Sequence, residues 1–200
     1  MPRSPEENGR IRQLAKENIR VAAIEVFIEK GYHAASIDDV AKRAGISKGL
    51  LYNYFSGKAD LLKELILSRI EEIVHVMEEA ITKSTPVEQL VYIADHALLN
   101  VQQKPNIYRF YWHIQTHPEA DEIVSTYCQL LKDEMARQFK LQVDIFRRMG
   151  EANPQLQSLH FSTALHGMML MYSTYPENFP LLELKDEMLS RFFKYIGEES

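Results

Sequence analysis

The segment from Ser36 to Leu61 constrains the fold of this 200-residue chain more than any other part of the sequence. Ser36 can cap a helix, and Asp39 three residues later supplies the carboxylate version of a capping box. Gly45 follows, where glycine adopts a left-handed backbone without steric penalty. Between them, apolar residues recur at the i, i+3, i+4, i+7 spacing of one helical face: Ile37, Val40, Ala41 and Ala44. The pattern predicts a short amphipathic helix that ends in a tight turn.

A second short helix is predicted directly after this turn. Leu51 and Phe55 give it one apolar face, and Gly49 removes a side chain near its start, so that the backbone could approach a phosphate closely. Two helices joined by about four residues that include a glycine are typical of a helix-turn-helix, whose second helix enters the DNA major groove. The groups on its outer face bond phosphate oxygens and base edges: Ser47 (also the N-cap), Lys48, Tyr52, Asn53 and Tyr54. The alternative is an ordinary helical hairpin with a polar outer face.

A longer stretch, residues 15–65, resembles the DNA-binding domain of the TetR family of transcriptional regulators. It covers about a quarter of the chain. Two positions depart from the family pattern: Leu50 replaces a small or polar residue, and Ala59 replaces a common acidic one. Because an apolar side chain can contact a thymine methyl group, we hypothesise a thymine opposite Leu50. The matching residues are Ala22, Ala23, Phe27, Gly31, Tyr32, Ser36, Ile37, Val40, Ala41, Ala44, Gly45, Ile46, Ser47, Gly49, Leu51, Tyr52, Tyr54, Phe55, Lys58 and Leu61.

The resemblance implies a bacterial repressor that binds a palindromic operator as a homodimer and is released by a small-molecule effector. Effector binding would shift the helix that begins at Lys58 and change the separation of the two DNA-binding domains. Ser36 and Lys58 are expected to clamp phosphates. The full set of expected DNA contacts is Ser36, Ile46, Ser47, Lys48, Gly49, Leu50, Tyr52, Asn53, Tyr54 and Lys58.

Composition and charge agree with this interpretation. The chain is 46% hydrophobic and 26% charged, and its net charge is −5. That charge is divided unevenly, with +2 on residues 1–60 and −7 on residues 61–200. A polyanion would attract the first part and repel the second, which orients the molecule on DNA.

The sequence also favours a cytoplasmic protein with no membrane partner. The N-terminus lacks the apolar stretch of a signal peptide, and no apolar run approaches the roughly 18 residues of a membrane span. The single cysteine, Cys128, precludes an intramolecular disulfide and suits a reducing compartment. We expect Cys128 to be a small buried hydrophobic residue, with a redox-sensing thiol as the alternative.

Helical periodicity continues to the end of the chain, and nothing alternates like a strand. We therefore predict an all-α fold with a flexible arm at 1–10, a helix-turn-helix domain at 11–57, and an effector-binding and dimerisation domain at 58–200. Proline and glycine residues mark most of the helix ends. Outside the helix-turn-helix, helices are predicted at 11–30, 58–83, 86–103, 106–116, 119–149, 155–174 and 181–196.

The C-terminal part is rich in aromatic, histidine and methionine residues, which suit an apolar cavity with a few polar groups. For any single residue, packing in a helical core is the alternative. Because TetR-family C-terminal domains typically hold an effector pocket, the resemblance favours a cavity here. Because residues 61–200 carry a net negative charge, a hydrophobic or cationic effector fits this part of the chain better than an anionic one. The expected lining is Tyr92, His96, Tyr108, Tyr111, Trp112, Phe139 and Phe161.

The last two helices are expected to form the dimer interface. In the TetR family two such helices from each subunit build a four-helix interface. Packing of the same residues within the monomer is the alternative. The expected interface comprises Ser162, Thr163, His166, Gly167 and Leu170 on one helix, and Met188, Leu189, Phe192, Phe193 and Ile196 on the other.

Nothing in the sequence indicates catalysis, a cofactor or a metal. His113 and His117 have the i, i+4 spacing of a metal pair, but no glutamate lies between them to act as a base, so we interpret them as structural or pocket residues. Nucleophile-elbow, phosphate-loop and dinucleotide motifs are absent from the sequence. Two alternatives to an effector-controlled repressor remain: a helical protein–protein adaptor that does not read DNA, and a repressor without an effector.

Overall fold

The computed structural model describes residues 4–116 and 122–194 of the chain. Within those residues, helices and their connecting turns account for the structure, which confirms the all-α prediction. No helix in this part of the chain is both long enough and apolar enough to span a membrane. The helices are α1 (Pro5–Lys30), α2 (Ile37–Arg43), α3 (Lys48–Tyr52), α4 (Lys58–Ile81), α5 (Pro86–Gln103), α6 (Pro105–Thr116), α7 (Glu122–Arg148), α8 (Pro154–Thr174) and α9 (Leu181–Lys194).

The largest difference from the predicted helix boundaries lies at the N-terminus. The sequence pattern predicts a flexible arm at 1–10 and a helix from residue 11, whereas α1 begins at Pro5. Local capping explains the earlier start. The Ser4 hydroxyl accepts a hydrogen bond from the Glu7 amide at 3.1 Å. Pro5 fits the first position of the helix, because the N–H that proline lacks has no hydrogen-bond partner within a helix at that position. The predicted residues 119–121 and 195–196 of two later helices lie outside the described residues.

The chain divides into two compact units, Met1–Leu67 and Ser68–Ser200. The division falls inside α4 rather than at residue 57, where the sequence analysis had placed it. In the first unit α1 contacts α2, and α2 contacts α3. The core of this unit is formed by side chains that are at most 3% exposed: Ile19, Ala23, Phe27, Val40, Leu51, Phe55, Leu61 and Leu62, among others.

In the second unit α8 lies at the centre and packs against α5, α6, α7 and α9. Three phenylalanine rings form part of this core: Phe161 lies 6.1 Å from Phe146 and 5.6 Å from Phe192, measured between ring centroids. A buried polar contact crosses from α7 to α8, where the Gln142 side-chain oxygen accepts hydrogen bonds from Ser158 at 3.3 Å and Ser162 at 2.7 Å. α8 is therefore apolar on one side and hydrogen-bonded to α7 on another.

Candidate nucleic-acid interface and ligand cavity

The helix ends of the helix-turn-helix are set by short-range hydrogen bonds that the sequence predicted, and one long-range bond adds to them. Ser36 and Asp39 form the complete capping box of α2, and Gly45 adopts a positive φ of 67° in the turn. Ser47 caps α3 by accepting from the Leu50 amide at 3.1 Å. Asn18 of α1 donates to the Ala44 carbonyl at 2.8 Å, which ties the turn to the first helix.

α3 turns one face inward and leaves the other exposed. Leu51 is fully buried, and Phe55, which follows α3, is 3% exposed, whereas Leu50 and Tyr52 are 40% and 47% exposed. Ser47, Lys48, Gly49 and Asn53 are also exposed. Ile46 and Tyr54 are half-buried, and the Arg12 guanidinium lies 5.8 Å from the Tyr54 ring centroid. The outer face of α3 therefore carries seven of the expected contacts if Tyr54 is included: Ser47, Lys48, Gly49, Leu50, Tyr52, Asn53 and Tyr54.

Lys48 forms an ion pair on this exposed face. Its ammonium lies 2.8 Å from an Asp38 carboxylate oxygen, and both side chains are more than half exposed. The hydrogen bond with Asp38 raises the pKa of Lys48, so the side chain is positively charged at neutral pH. A phosphate would compete with Asp38 for the same ammonium.

Lys58 does not have the position that a phosphate clamp requires. Its ammonium donates to the backbone carbonyls of Tyr32, His33 and Ala35 at 2.7, 2.9 and 3.0 Å. An ammonium has three N–H groups, so these bonds use all of them. Lys58 closes the loop between α1 and α2, and we withdraw it from the expected DNA contacts. A single sequence does not show which partner a lysine takes.

Ser36 is exposed but is also occupied within the capping box. Its hydroxyl accepts from the Asp39 amide at 3.2 Å and donates to an Asp39 carboxylate oxygen at 2.7 Å. Lys30 donates to the other oxygen at 2.6 Å, and this bond, together with those from Ser36, lowers the pKa of Asp39 to about 2. While the box is intact, the Ser36 hydroxyl has no proton to offer a phosphate.

The second unit contains a cavity of about 90 Å³ between α4, α5, α6, α7 and α8. Three of the expected lining residues contribute to it: Tyr108, Tyr111 and Trp112. The rest of the lining comprises one ion pair (Arg69 and Glu72), His166, and four residues with side-chain amides (Asn100, Gln115, Gln138 and Gln142). The other lining residues are apolar: Ile73, Val76, Met77, Ile93, Ala97, Leu131, Met135, Leu165 and Met169.

The structure does not place the other four expected residues in this lining. Phe161 is fully buried in the core between Phe146 and Phe192. Tyr92 and His96 stack on each other with ring centroids 3.7 Å apart, and Lys83 lies 4.4 Å from the Tyr92 ring. Phe139 is half-buried on α7. The rings of Phe161, Tyr92 and His96 therefore pack against other side chains and do not line the cavity.

The cavity wall also contains a hydrogen-bonded polar cluster, of which the sequence pattern predicts only Tyr108 as a lining residue. Arg69 donates from one nitrogen to the Tyr108 hydroxyl at 2.9 Å and to Glu72 at 3.3 Å, and Glu72 also pairs with Lys104 at 3.5 Å. Burial raises the pKa of Tyr108, which keeps its hydroxyl protonated. The signal for this cluster was an arginine among the apolar residues of α4, which by itself does not identify its partners.

His166 was assigned to the dimer interface, but it lies in the cavity wall. Its Nδ1 is 2.7 Å from the Ser162 carbonyl, and its ring makes an edge contact with Trp112 at a centroid distance of 5.7 Å. Burial lowers the pKa of His166, which favours the neutral ring. Ser162 is likewise turned inward, where it donates to Gln142. Both residues lie on the side of α8 that faces the rest of the second unit.

The other expected interface residues lie along α8 and α9, where an open groove of about 880 Å³ separates the helices. Thr163, Met188 and Phe192 line the groove, and Gly167 and Leu170 are exposed on α8. Leu189 is buried and Phe193 half-buried, while Ile196 lies outside the described residues. Further apolar residues are exposed on the same two helices: Leu156, Leu159, Met171, Leu182 and Leu184.

The structure thus combines a helix-turn-helix whose second helix is exposed, in one unit, with a cavity in a separate helical unit. The family model described as "Bacterial regulatory proteins, tetR family" matches residues 19–65. The chain is 30% identical over 95 residues to the uncharacterized HTH-type transcriptional regulator TtgW of Pseudomonas putida, an alignment that covers 48% of this chain and 68% of TtgW. The chain belongs to the TetR family.

Another relative is the HTH-type transcriptional activator FasR of Mycolicibacterium smegmatis. It is 34% identical over 89 residues, which is 44% of this chain and 41% of FasR. The chain thus matches less than half the length of FasR. Both relatives are named as transcriptional regulators and not as enzymes.

Solved structures show the same fold over most of the chain. FadR of Bacillus subtilis, in complex with stearoyl-CoA, has a TM-score of 0.65 and 20% identity and covers 87% of this chain and 95% of its own. AibR, in complex with isovaleryl coenzyme A and operator DNA, has a TM-score of 0.66 and 16% identity and covers 88% of this chain and 97% of its own. At these identities the likeness establishes the fold alone.

Proposed function

We propose that this protein is a transcriptional repressor in the bacterial cytoplasm that binds a palindromic operator as a homodimer and releases it when an acyl compound enters the cavity of the second unit. The observation that carries the DNA-binding part is the outer face of α3, which presents Lys48, Tyr52 and Asn53 to solvent while Leu51 and Phe55 anchor the helix. Hydroxyl, amide and ammonium groups on an exposed second helix are what operator recognition requires.

The operator contacts are tested by the salt dependence of DNA binding. Each phosphate neutralised by a lysine contributes about 0.9 to the slope of log K against log salt. Lys48→Ala should lower this slope by about one and weaken binding to all sequences similarly. Lys132→Ala, an exposed lysine of α7, serves as the matched control and should leave the slope unchanged. An unchanged slope for Lys48→Ala would remove Lys48 from the interface.

The dimer is proposed to form through α8 and α9. Support comes from exposed Leu170 and Met171 beside Gly167, and from the groove between these helices. A Cβ atom added at Gly167, which is exposed, meets no atom within 4 Å in the monomer, so Gly167→Arg can fold while blocking a close helix–helix approach. We expect a monomer by light scattering with much weaker operator binding, and a normal dimer for Ala136→Arg on the exposed face of α7. A dimeric Gly167→Arg protein would exclude this interface.

The effector is proposed to be an apolar acyl compound. The cavity supports this because most of its wall is aliphatic, aromatic or methionine side chain. The acyl-CoA complexes of FadR and AibR support it by analogy of fold. An effector at 100 times its dissociation constant should stabilise the protein by about 2.7 kcal/mol and release a labelled operator in the same concentration range. Stabilisation without release would make the protein a binding module and not an effector-controlled repressor.

A further inference from the structure

Among the described residues, one side chain that lines the cavity, Trp112, has a buried polar atom without a hydrogen-bond partner. The indole Nε1 of Trp112 is buried, and no hydrogen-bond acceptor lies within reach among the described residues. A buried tryptophan N–H usually finds an acceptor, because leaving it unpaired costs most of its desolvation free energy. An unpaired donor on a residue that lines a cavity is a candidate hydrogen-bond donor to an oxygen of the ligand, once small shifts of the wall bring the two together.

The surroundings of Trp112 favour an uncharged oxygen. The lining residues that carry formal charge are Arg69 and Glu72, and these two pair with each other at 3.3 Å. His166, in edge contact with the indole, donates from Nδ1 to the Ser162 carbonyl when neutral, and it has its pKa lowered by burial. A buried carboxylate would therefore lack a cation of its own, whereas a carbonyl oxygen needs only the indole N–H.

The volume of the cavity sets the size of the group attached to that oxygen. A cavity of about 150 Å³ holds a benzene molecule, and this one measures about 90 Å³. Methionine side chains in the wall, Met77, Met135 and Met169, can adjust their rotamers to admit somewhat more. By this comparison the cavity as it stands holds about three or four non-hydrogen atoms beyond the carbonyl, and about six once the methionines have shifted, so a long fatty-acyl chain does not fit.

We infer that the cavity selects a compact, neutral acyl group, such as that of a short-chain or aromatic thioester, whose carbonyl oxygen accepts a hydrogen bond from Trp112 Nε1. This inference rests on the proposed function, because it specifies the effector of the same regulator. It adds a size limit, a charge preference and a specificity-determining residue.

The test is calorimetric titration of the full-length protein with butyryl-CoA, benzoyl-CoA and palmitoyl-CoA, with butyrate and free CoA as references. Butyryl-CoA or benzoyl-CoA should bind at least tenfold more tightly than palmitoyl-CoA, butyrate or CoA. Trp112→Phe keeps an aromatic ring but removes the donor, and it should weaken binding about tenfold. Its stability without ligand should be equal or higher, because an unpaired buried donor is gone. Tyr92→Phe, outside the cavity, should bind normally.

A second variant tests the size limit without changing Trp112. Ala97→Leu places a larger side chain in the cavity wall and should weaken the binding of butyryl-CoA at least tenfold, while Ala136→Leu on the exposed face of α7 should not.

If Trp112→Phe bound butyryl-CoA as tightly as the wild type, the proposed role of the indole would be overturned. Palmitoyl-CoA or butyrate binding as tightly as butyryl-CoA would overturn the size limit or the charge preference. If no acyl compound binds while operator DNA is still retained, the inference fails and DNA binding stands, whereas loss of both would contradict the proposed function itself.

Discussion

The two units of this chain use their helices in different ways. In the first unit, hydrogen bonds over three or four residues set the helix ends, and Phe27, Leu51 and Phe55 fill the core. In the second unit, five helices surround a cavity whose wall brings together residues distant in the sequence, such as Arg69 and Met169. The helix ends of the first unit are set by local signals, whereas the cavity of the second unit is built by packing between residues distant in the sequence.

This difference follows from what each unit is proposed to do. A recognition helix must be presented rigidly, which close packing achieves. A ligand site must keep an empty volume and unpaired polar groups, which close packing would eliminate. The unpartnered indole Nε1 of Trp112 is such a group.

Removal of a core side chain from the first unit tests how tightly it is packed. Phe27 is 1% exposed and lies 5.4 Å from Tyr32 between ring centroids. Phe27→Ala should lower the free energy of unfolding by about 3–5 kcal/mol, measured by urea denaturation, and abolish operator binding. Leu99→Ala on the exposed surface of α5, at 46% exposure, should change it by no more than about 0.5 kcal/mol. A loss below about 1 kcal/mol for Phe27→Ala would show a loosely packed core.

The variant Lys58→Met distinguishes between two roles of Lys58, a structural hydrogen-bond donor and a phosphate contact. Removing hydrogen bonds from an ammonium to three carbonyls should destabilise the protein by about 2 kcal/mol. The salt slope of DNA binding by the folded variant should stay the same, unlike that of Lys48→Ala. A flatter slope with no change in the urea midpoint would restore Lys58 as a phosphate clamp.

The contrast between Lys58 and Gly45 illustrates what the sequence can reveal. Gly45 and the Ser36–Asp39 capping box were predicted correctly, because caps and left-handed turns depend on residues three or four positions apart. The partners of Lys58 lie more than twenty residues away along the chain, and only the folded structure brings them together.

The cavity shows the same limit more strongly. Tyr108, Tyr111 and Trp112 were expected in the lining because the C-terminal part is rich in aromatic residues and resembles a family with an effector pocket, and all three lie in the cavity wall on α6. Phe161, expected in the lining, lies in the core, and His166, expected at the interface, lies in the cavity wall. A helical position fixes the spacing of a residue but not which neighbour its face meets. That information resides in the packing of α8 against four other helices.

Ser36→Ala should have a smaller effect than the two substitutions above. Loss of the side chain that caps α2 should cost about 1 kcal/mol of stability, measured by the same denaturation experiment. Ser125→Ala, within α7 and exposed, is the matched control and should be nearly neutral. Equal stability of wild type and Ser36→Ala would mean that α2 does not depend on its cap.

The smallest expected effect is a pH dependence at Asp39. Its pKa falls from 3.8 to about 2 on folding, chiefly through the hydrogen bond from Lys30. Stability from this group is therefore complete above the unfolded pKa and is lost as the pH falls from about 4 toward 2. The difference in urea midpoint between wild type and Asp39→Asn should shrink over this range. A constant difference would show that the carboxylate charge contributes nothing.

The central claim is tested most directly by selecting sheared genomic DNA with the purified full-length protein and sequencing the retained fragments. We expect an enriched palindrome whose half-sites lie about 10–10.5 base pairs apart, or a multiple of that spacing, since two recognition helices must reach the same side of the duplex. Retention should decrease steeply as salt is raised. The absence of any enriched sequence at low salt would contradict operator binding and favour a helical adaptor.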